Sequence, residues 1–182
     1  MTATVTGRVL AVLPAGLVPL AWGFAAAVAV GAAGGRALAV GLGVMVVLFA
    51  VFAAQPAMGE GALAAWRLVI VAGLVANLVS LAGLFDLFGG ETVVAVSAYA
   101  WMLLPVPALV RTGRAVGASR RYLAFAVLST VGAGVVLAGT LSGGVLGLDT
   151  TAVALVGVAL VGLGQTGSIV DAALRDDGAL GT

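Results

Sequence analysis

Five polar or aromatic side chains interrupt the apolar middle of this sequence, and they are its first candidates for chemistry. They form a candidate polar layer: Asn77, Ser80, Ser97, Tyr99 and Trp101. Amide, hydroxyl and indole groups can bind a neutral solute or a fragment of a lipid headgroup, and they can equally bond to one another between helices. Because no charged residue lies among them, we interpret the layer as an interhelical hydrogen-bond network and keep solute binding as the alternative.

The residue types present give little basis for catalysis. The chain has no cysteine, histidine or lysine, which excludes disulfides, thiolate or imidazole metal ligands, Schiff bases and histidine triads. Asp86, Asp149 and Asp171 are expected at helix ends, so no two carboxylates face each other inside an apolar run. Asp176 and Asp177 form an acidic pair without the further carboxylates that would hold Mg²⁺. We therefore predict no cofactor, no metal and no enzyme activity.

The helices on which these residues lie are predicted from the composition, which is 63% hydrophobic and only 8% charged. Mean hydropathy is +1.27, and a membrane-crossing helix needs about 20 apolar residues. The expected fold class is an all-α integral membrane protein, a compact bundle of six transmembrane helices with short loops in one membrane domain, 1–182. The predicted helices cover residues 9–33, 37–55, 66–86, 92–110, 122–141 and 150–171, followed by a polar tail, 172–182, with disordered last residues.

The arginines predict the orientation, since four of the eight lie in a predicted loop at residues 111–121. Short basic loops stay on the cytoplasmic side of a membrane. This rule places both termini in the cytoplasm, with seven arginines inside and only Arg36 outside. The expected location is a prokaryotic plasma membrane. Arginines spread over loops rather than gathered on one face predict no nucleic-acid partner.

The first helix begins like a secretory signal, with Arg8 ahead of an apolar run. Its run of apolar residues extends to Val30, which is longer than the core of a signal peptide. We therefore interpret this segment as a retained helix, with cleavage as the alternative.

Small residues recur along the predicted sixth helix at seven-residue spacing. The series consists of Thr150, Gly157, Gly164 and Asp171, with Ala154, Val161 and Ser168 in between. The fifth helix offers Gly132 and Gly139 at the same spacing. Such residues let helix backbones approach closely, so we predict a packing seam between the fifth and sixth helices, with a glycine-lined pore as the alternative.

Two proline pairs lie in apolar runs, Pro14 with Pro19 in the first helix and Pro105 with Pro107 in the fourth. We interpret them as ordinary kinks of membrane helices. The alternative is a pair of broken helices that open a cavity on the cytoplasmic side.

Several polar residues are expected near the cytoplasmic surface of the bilayer. Trp66 and Arg67 are adjacent, a pairing typical of the headgroup region. Gln55, Gln165 and Asp171 are interpreted as helix-end groups that reach water.

Three functions remain open, and all of them have the lipid bilayer as a partner. The first is a non-catalytic membrane component that packs with itself, as a homo-oligomer, or with a membrane-protein partner. The second is a small permease or channel for a neutral solute, which the proline pairs and the candidate polar layer favour. The third is a lipid-handling membrane enzyme, which the absence of catalytic residues disfavours.

Overall fold

The computed structural model describes residues 5–60, 63–142 and 149–179, and all regular structure in these ranges is helical. The helices are α1 (Val5–Ala29), α2 (Gly35–Ala53), α3 (Leu63–Leu84), α4 (Gly90–Leu103), α5 (Pro105–Ala115), α6 (Ser119–Ser142) and α7 (Thr150–Ala179), with a 3₁₀ turn at Pro56–Gly59. Five spans are long and apolar enough to cross a membrane: α2, α3, α4 together with α5, α6, and α7 as far as Ala172. Within the described side chains, α1 adds the shorter apolar stretch Gly16–Ala29. The predicted all-α class is confirmed.

The α6–α7 pair forms the most extensive helix contact in the bundle. On its two sides, α1 packs against α7 and α5 packs against α6. α3 then packs against α4, and α2 lies at the edge against α3. Gly132 lies beside Gly157 and Gly139 beside Val153, so the numbering runs in opposite directions and the central pair is antiparallel.

Glycines bring the backbones of α6 and α7 together. A Cβ atom on Gly157 would lie 2.7 Å from the carbonyl oxygen of Gly132, and a Cβ on Gly132 would lie 2.6 Å from the carbonyl oxygen of Gly157. At Gly164 the nearest atoms would be the Phe125 carbonyl oxygen and Ser129 Oγ, both 2.6 Å away. A fourth glycine, Gly139, packs against the side chain of Val153 rather than against backbone. The four glycines of the predicted seam therefore lie in one helix interface.

The predicted fourth helix, 92–110, is divided into α4 and α5 at Leu104. Pro105 and Pro107 have no N–H group, so they cannot bond to the carbonyls one turn earlier. Leu104 keeps right-handed helical dihedral angles, φ −52° and ψ −40°, and the two helices follow each other as one span. By contrast, α1 keeps a helical backbone through Pro14 and Pro19.

The predicted basic loop at residues 111–121 is much shorter in the structure. α5 extends to Ala115 and α6 begins at Ser119, so the four arginines of this segment lie in helices. After α5 the chain turns at Gly117, whose φ of +67° suits glycine, and the backbone N–H of Ala118 closes the turn on the Gly113 carbonyl at 2.9 Å. No residue before Gly117 interrupts the helix, which is why the loop prediction was too long.

Most of the predicted polar tail, 172–182, is helical, because α7 continues to Ala179. Arg175 and Asp171 form an ion pair one turn apart, and such pairs support a helix beyond its apolar span. Residues 180–182 lie outside the described residues, as does most of the predicted turn between α6 and α7, residues 143–148. At the end of that turn Asp149 Oδ1 accepts the Thr151 backbone N–H at 2.9 Å and caps α7.

Candidate functional site

Asn77 and Trp101 of the candidate polar layer meet between α3 and α4. Trp101 Nε1 donates a hydrogen bond to Asn77 Oδ1 at 2.9 Å. Gly73, one turn before Asn77, leaves room for the indole, since a Cβ at this position would overlap the ring. Phe49 of α2 packs against Trp101 with ring centroids 5.0 Å apart. This hydrogen bond thus lies where α2, α3 and α4 come together.

The amide nitrogen of Asn77 is the unusual atom of this arrangement. The residue is only 2% exposed, and its Nδ2 group has no hydrogen-bond partner among the described residues. A buried polar group without a partner costs about 1–3 kcal/mol. Ser80 and Ser97 are buried as well. The Asn77 amide is therefore a group of the candidate layer that can still donate to a ligand.

Tyr99 belongs to a different face of α4. Its hydroxyl lies 2.6 Å from Thr140 Oγ1 of α6. Two residues apart on a helix point in nearly opposite directions, so Tyr99 and Trp101 reach different neighbours. The structure brings Asn77 and Trp101 together but assigns Tyr99 to another interface, and the candidate layer is not one continuous group.

The interpretation of Gln165 as a helix-end group that reaches water is wrong. Its side chain is 6% exposed and lies in the interior of the bundle. Trp22 Nε1 of α1 donates to Gln165 Oε1 at 3.1 Å. Gln165 Nε2 in turn donates to the carbonyl oxygens of Trp101 and Met102, at 3.4 and 3.5 Å.

These contacts are explained by the proline break between α4 and α5. Pro105 cannot donate to the carbonyl of Trp101 four residues earlier, and a carbonyl left without a partner in an apolar interior is unfavourable. The Gln165 amide supplies the missing donor from α7. A sequence signal for this was present, because Gln165 lies on the same face of α7 as Val161 and Ser168, both of which are buried.

The third tryptophan makes an equivalent contact. Trp66 Nε1 of α3 donates to Thr112 Oγ1 of α5 at 2.9 Å. All three tryptophans of the chain therefore donate their indole N–H to a side-chain oxygen of another helix. For Trp66 the structure adds an interhelical bond to the headgroup position that the sequence predicts.

Charged contacts gather at the end of the bundle where α5 meets α6 and α7 leaves its apolar span. Asp171 accepts from Arg121 of α6 at 2.9 Å and from Arg175 of α7 at 2.6 Å. Its side chain is 13% exposed, so Asp171 pairs with two arginines rather than simply facing water.

Elsewhere, Gln55 donates to the Val51 carbonyl at 3.4 Å and Thr130 to the Ala126 carbonyl at 2.9 Å, each within its own helical segment.

Two clefts of similar size open at opposite ends of the bundle. The first, about 450 Å³, is lined by Gly117, Ala118, Ser119, Arg120, Arg121 and Arg175. The second, about 420 Å³, is mainly apolar but carries Asp86 and Glu91. Among the described residues, no three His, Cys, Asp or Glu side chains come together as metal ligands.

The fold and these contacts define a class: an all-α bundle with helices able to cross a membrane, joined by hydrogen bonds from tryptophan. No protein-family model, curated protein or solved structure matches the chain.

Proposed function

We propose that the protein is a non-catalytic, multi-pass component of a cell membrane that acts by packing against a second copy of itself or a partner protein. The observation that supports this most directly is the use of the interior polar groups. The indole N–H groups, Asn77 Oδ1 and the Gln165 amide all bond from helix to helix. Such bonds hold membrane helices together and leave few groups free for chemistry.

Helix α2 supplies the surface for packing. None of its residues is buried, and its main helix contact is with α3. A row of four valines, here called the valine stripe, points outward with exposures between 48% and 68%: Val40, Val44, Val47 and Val51. Their spacing of four, three and four residues is that of a helix-pairing seam. Valine also loses little side-chain freedom when it is packed in a helix.

A second copy of the chain is the occupant that this stripe suits best. Two identical stripes related by a two-fold axis are self-complementary, as most dimer interfaces are. The stripe is uncharged, so two copies meet without repulsion. A partner protein with a similar helix face is the other occupant within the proposal.

Disulfide cross-linking tests the pairing, because the chain has no cysteine of its own. We expect Val44→Cys to give a disulfide-linked dimer when membranes are treated with a mild oxidant. Val40→Cys, Val47→Cys and Val51→Cys should follow it, since all four side chains share one face. Val71→Cys on α3, which is 43% exposed, is the matched control and should stay monomeric.

Equal cross-linking at Val44 and Val71 would indicate random collision and contradict pairing through α2. No cross-linking at any of the four stripe positions would contradict self-association. In that case a photo-crosslinking residue at Val44 should capture another membrane protein, and capture of lipid alone would contradict the proposal as a whole.

The proposed orientation puts the end that carries Arg111, Arg114, Arg120 and Arg121 in the cytoplasm. We expect Ala115→Cys, at the end of α5, to react with an impermeant maleimide only after the cells are lysed. Leu87→Cys, in the exposed turn between α3 and α4, should react in intact cells. Labelling of Ala115→Cys from outside would reverse the orientation.

A permease for small neutral solutes is the second candidate, and the unpartnered Asn77 amide is the observation that favours it. The test is stopped-flow light scattering of proteoliposomes with glycerol and with urea as probes. A permease should pass one of them faster than empty liposomes do, and Asn77→Leu should abolish the difference without lowering the melting temperature. Equal rates with and without the protein would remove this candidate for both probes.

A further inference from the structure

We propose that the cleft beside the start of α6 binds the phosphodiester headgroup of an anionic phospholipid. The cleft has a volume of about 450 Å³, and three of its six lining residues are arginines: Arg120, Arg121 and Arg175. They come from two different helices, α6 and α7. Guanidinium groups bind phosphate oxygens through paired hydrogen bonds, so this lining suits a phosphate better than a neutral group.

Two of the arginines are already held in place. Asp171 bonds to Arg121 and Arg175 at once, at 2.9 and 2.6 Å, and so fixes their side chains at the edge of the cleft. Less side-chain freedom remains to be lost when a ligand binds. Asp171 neutralises one of the two charges. Arg120 adds a further positive charge and makes no hydrogen bond or ion pair with the described residues, so the described side chains at the cleft carry an excess of positive charge.

The backbone adds donors of its own. Helix α6 begins at Ser119, and the N–H groups of a first helical turn have no partners within the helix. In this turn Arg121 and Tyr122 donate to the Ala118 carbonyl, whereas the N–H groups of Ser119 and Arg120 have no partner among the described residues. The positive end of the α6 dipole lies at the same place and favours an anion.

The position of the cleft argues for a lipid rather than a free anion. One apolar span ends at Ala115, the next starts at Ser119 and the last ends at Ala172. The residues that line the cleft, 117–121 and 175, therefore lie where three apolar spans meet the polar region. Lipid headgroups occupy that depth of a membrane, and basic pockets between helices are suited to anionic headgroups.

The test uses the full chain in detergent, titrated with a short-chain phosphatidylglycerol. We expect saturable binding of one lipid and a rise in the thermal unfolding midpoint. Arg120→Gln should weaken the affinity about five-fold, because one basic residue near an anionic lipid contributes about that factor. This variant removes no hydrogen bond between described residues, so the protein should still fold.

Arg114→Gln is the matched control. Arg114 is exposed in the last turn of α5, at the same end of the bundle but outside the cleft. Its replacement should leave the affinity unchanged, whereas Arg175→Gln should weaken it as Arg120→Gln does. Equal losses in the Arg114 and Arg120 variants would show a diffuse attraction to the basic end and overturn the proposed site.

Two further ligands identify what is bound. Phosphatidylcholine has the same phosphate with a balancing positive charge and should bind more weakly. Inorganic phosphate should not compete at concentrations comparable to those of the lipid. Equal affinity for the two lipids would contradict recognition of the anionic headgroup. Competition by phosphate at equal concentration would assign the cleft to a free anion instead.

Discussion

The α6–α7 interface and the α2 edge show two different uses of glycine and valine in one bundle. Between α6 and α7, a side chain at Gly132 or Gly157 would collide with the opposite backbone. On α2, a Cβ at Gly43 would meet nothing within 4 Å, and the valines face outward. Close backbone approach gives dispersion contacts that lipid cannot replace. Both regions are glycine-rich, so glycine content alone does not show where two helix backbones are in close contact.

The largest expected effect is that of Gly157→Ile. Its side chain would have to displace Val136 and the Gly132 carbonyl, and overpacking of this kind costs about 3 kcal/mol at the upper end of the usual range. Thermal unfolding in detergent measures the loss. Ala159→Ile, on the exposed side of the same helix, is the control for the substitution itself.

Gly43→Ile makes the same glycine-to-isoleucine change on α2. Measured beside Gly157→Ile, it compares the α2 edge directly with the α6–α7 interface. Open space at Gly43 predicts a change in unfolding free energy within about 0.5 kcal/mol, as for most surface substitutions. Similar losses at Gly43 and Gly157 would mean that the two regions do not differ.

An effect smaller than that of Gly157→Ile, about 2 kcal/mol, is expected from Gln165→Leu. The substitution takes the Gln165 partner atoms away from the Trp101 carbonyl and the Trp22 indole N–H, which are both part-buried. Gln55→Leu is the matched change at the end of α2, where the amide bonds only to Val51 one turn earlier. It should cost much less, and equal melting temperatures for the two variants would show that Gln165 does not stabilise the proline break.

The smallest effect in the bundle interior is expected from Asn77→Leu, on α3. An interhelical hydrogen bond between membrane helices contributes about 0.6 kcal/mol on average, and the variant also removes the unpartnered Nδ2 group. The two changes oppose each other, so the melting temperature should hardly move. A loss as large as that of Gln165→Leu would mean that the Trp101 bond is a main support of α3 and α4.

Much of the fold could be predicted from local sequence. Apolar runs of the length of a membrane crossing predict helices, and the boundaries differ from the structure mainly where no residue interrupts a helix, as in α5 and at the end of α7. The seven-residue spacing of Gly157 and Gly164 placed them on one face of a helix. The face of a helix on which a residue lies follows from its spacing along the chain, so the sequence alone was enough to predict it.

The candidate site was only partly predictable. Asn77 and Trp101 could be paired because α3 and α4 are joined by a short turn that sets their register. Tyr99 belongs to the predicted layer only because it also interrupts the apolar middle of the sequence, and that position does not say which neighbouring helix its side chain meets. Thr140 of α6 turned out to be its partner.

By itself the sequence determined that the chain forms apolar helices with basic residues concentrated toward one end and small residues on α6 and α7. Only the tertiary structure decided that Gln165 satisfies carbonyls more than sixty residues away, and that Arg120 and Arg175 share one cleft. The physical reason is the range of the interactions. Helix formation depends on neighbours within a turn or two, whereas a hydrogen bond or a charge cluster between helices depends on how the helices are arranged around one another.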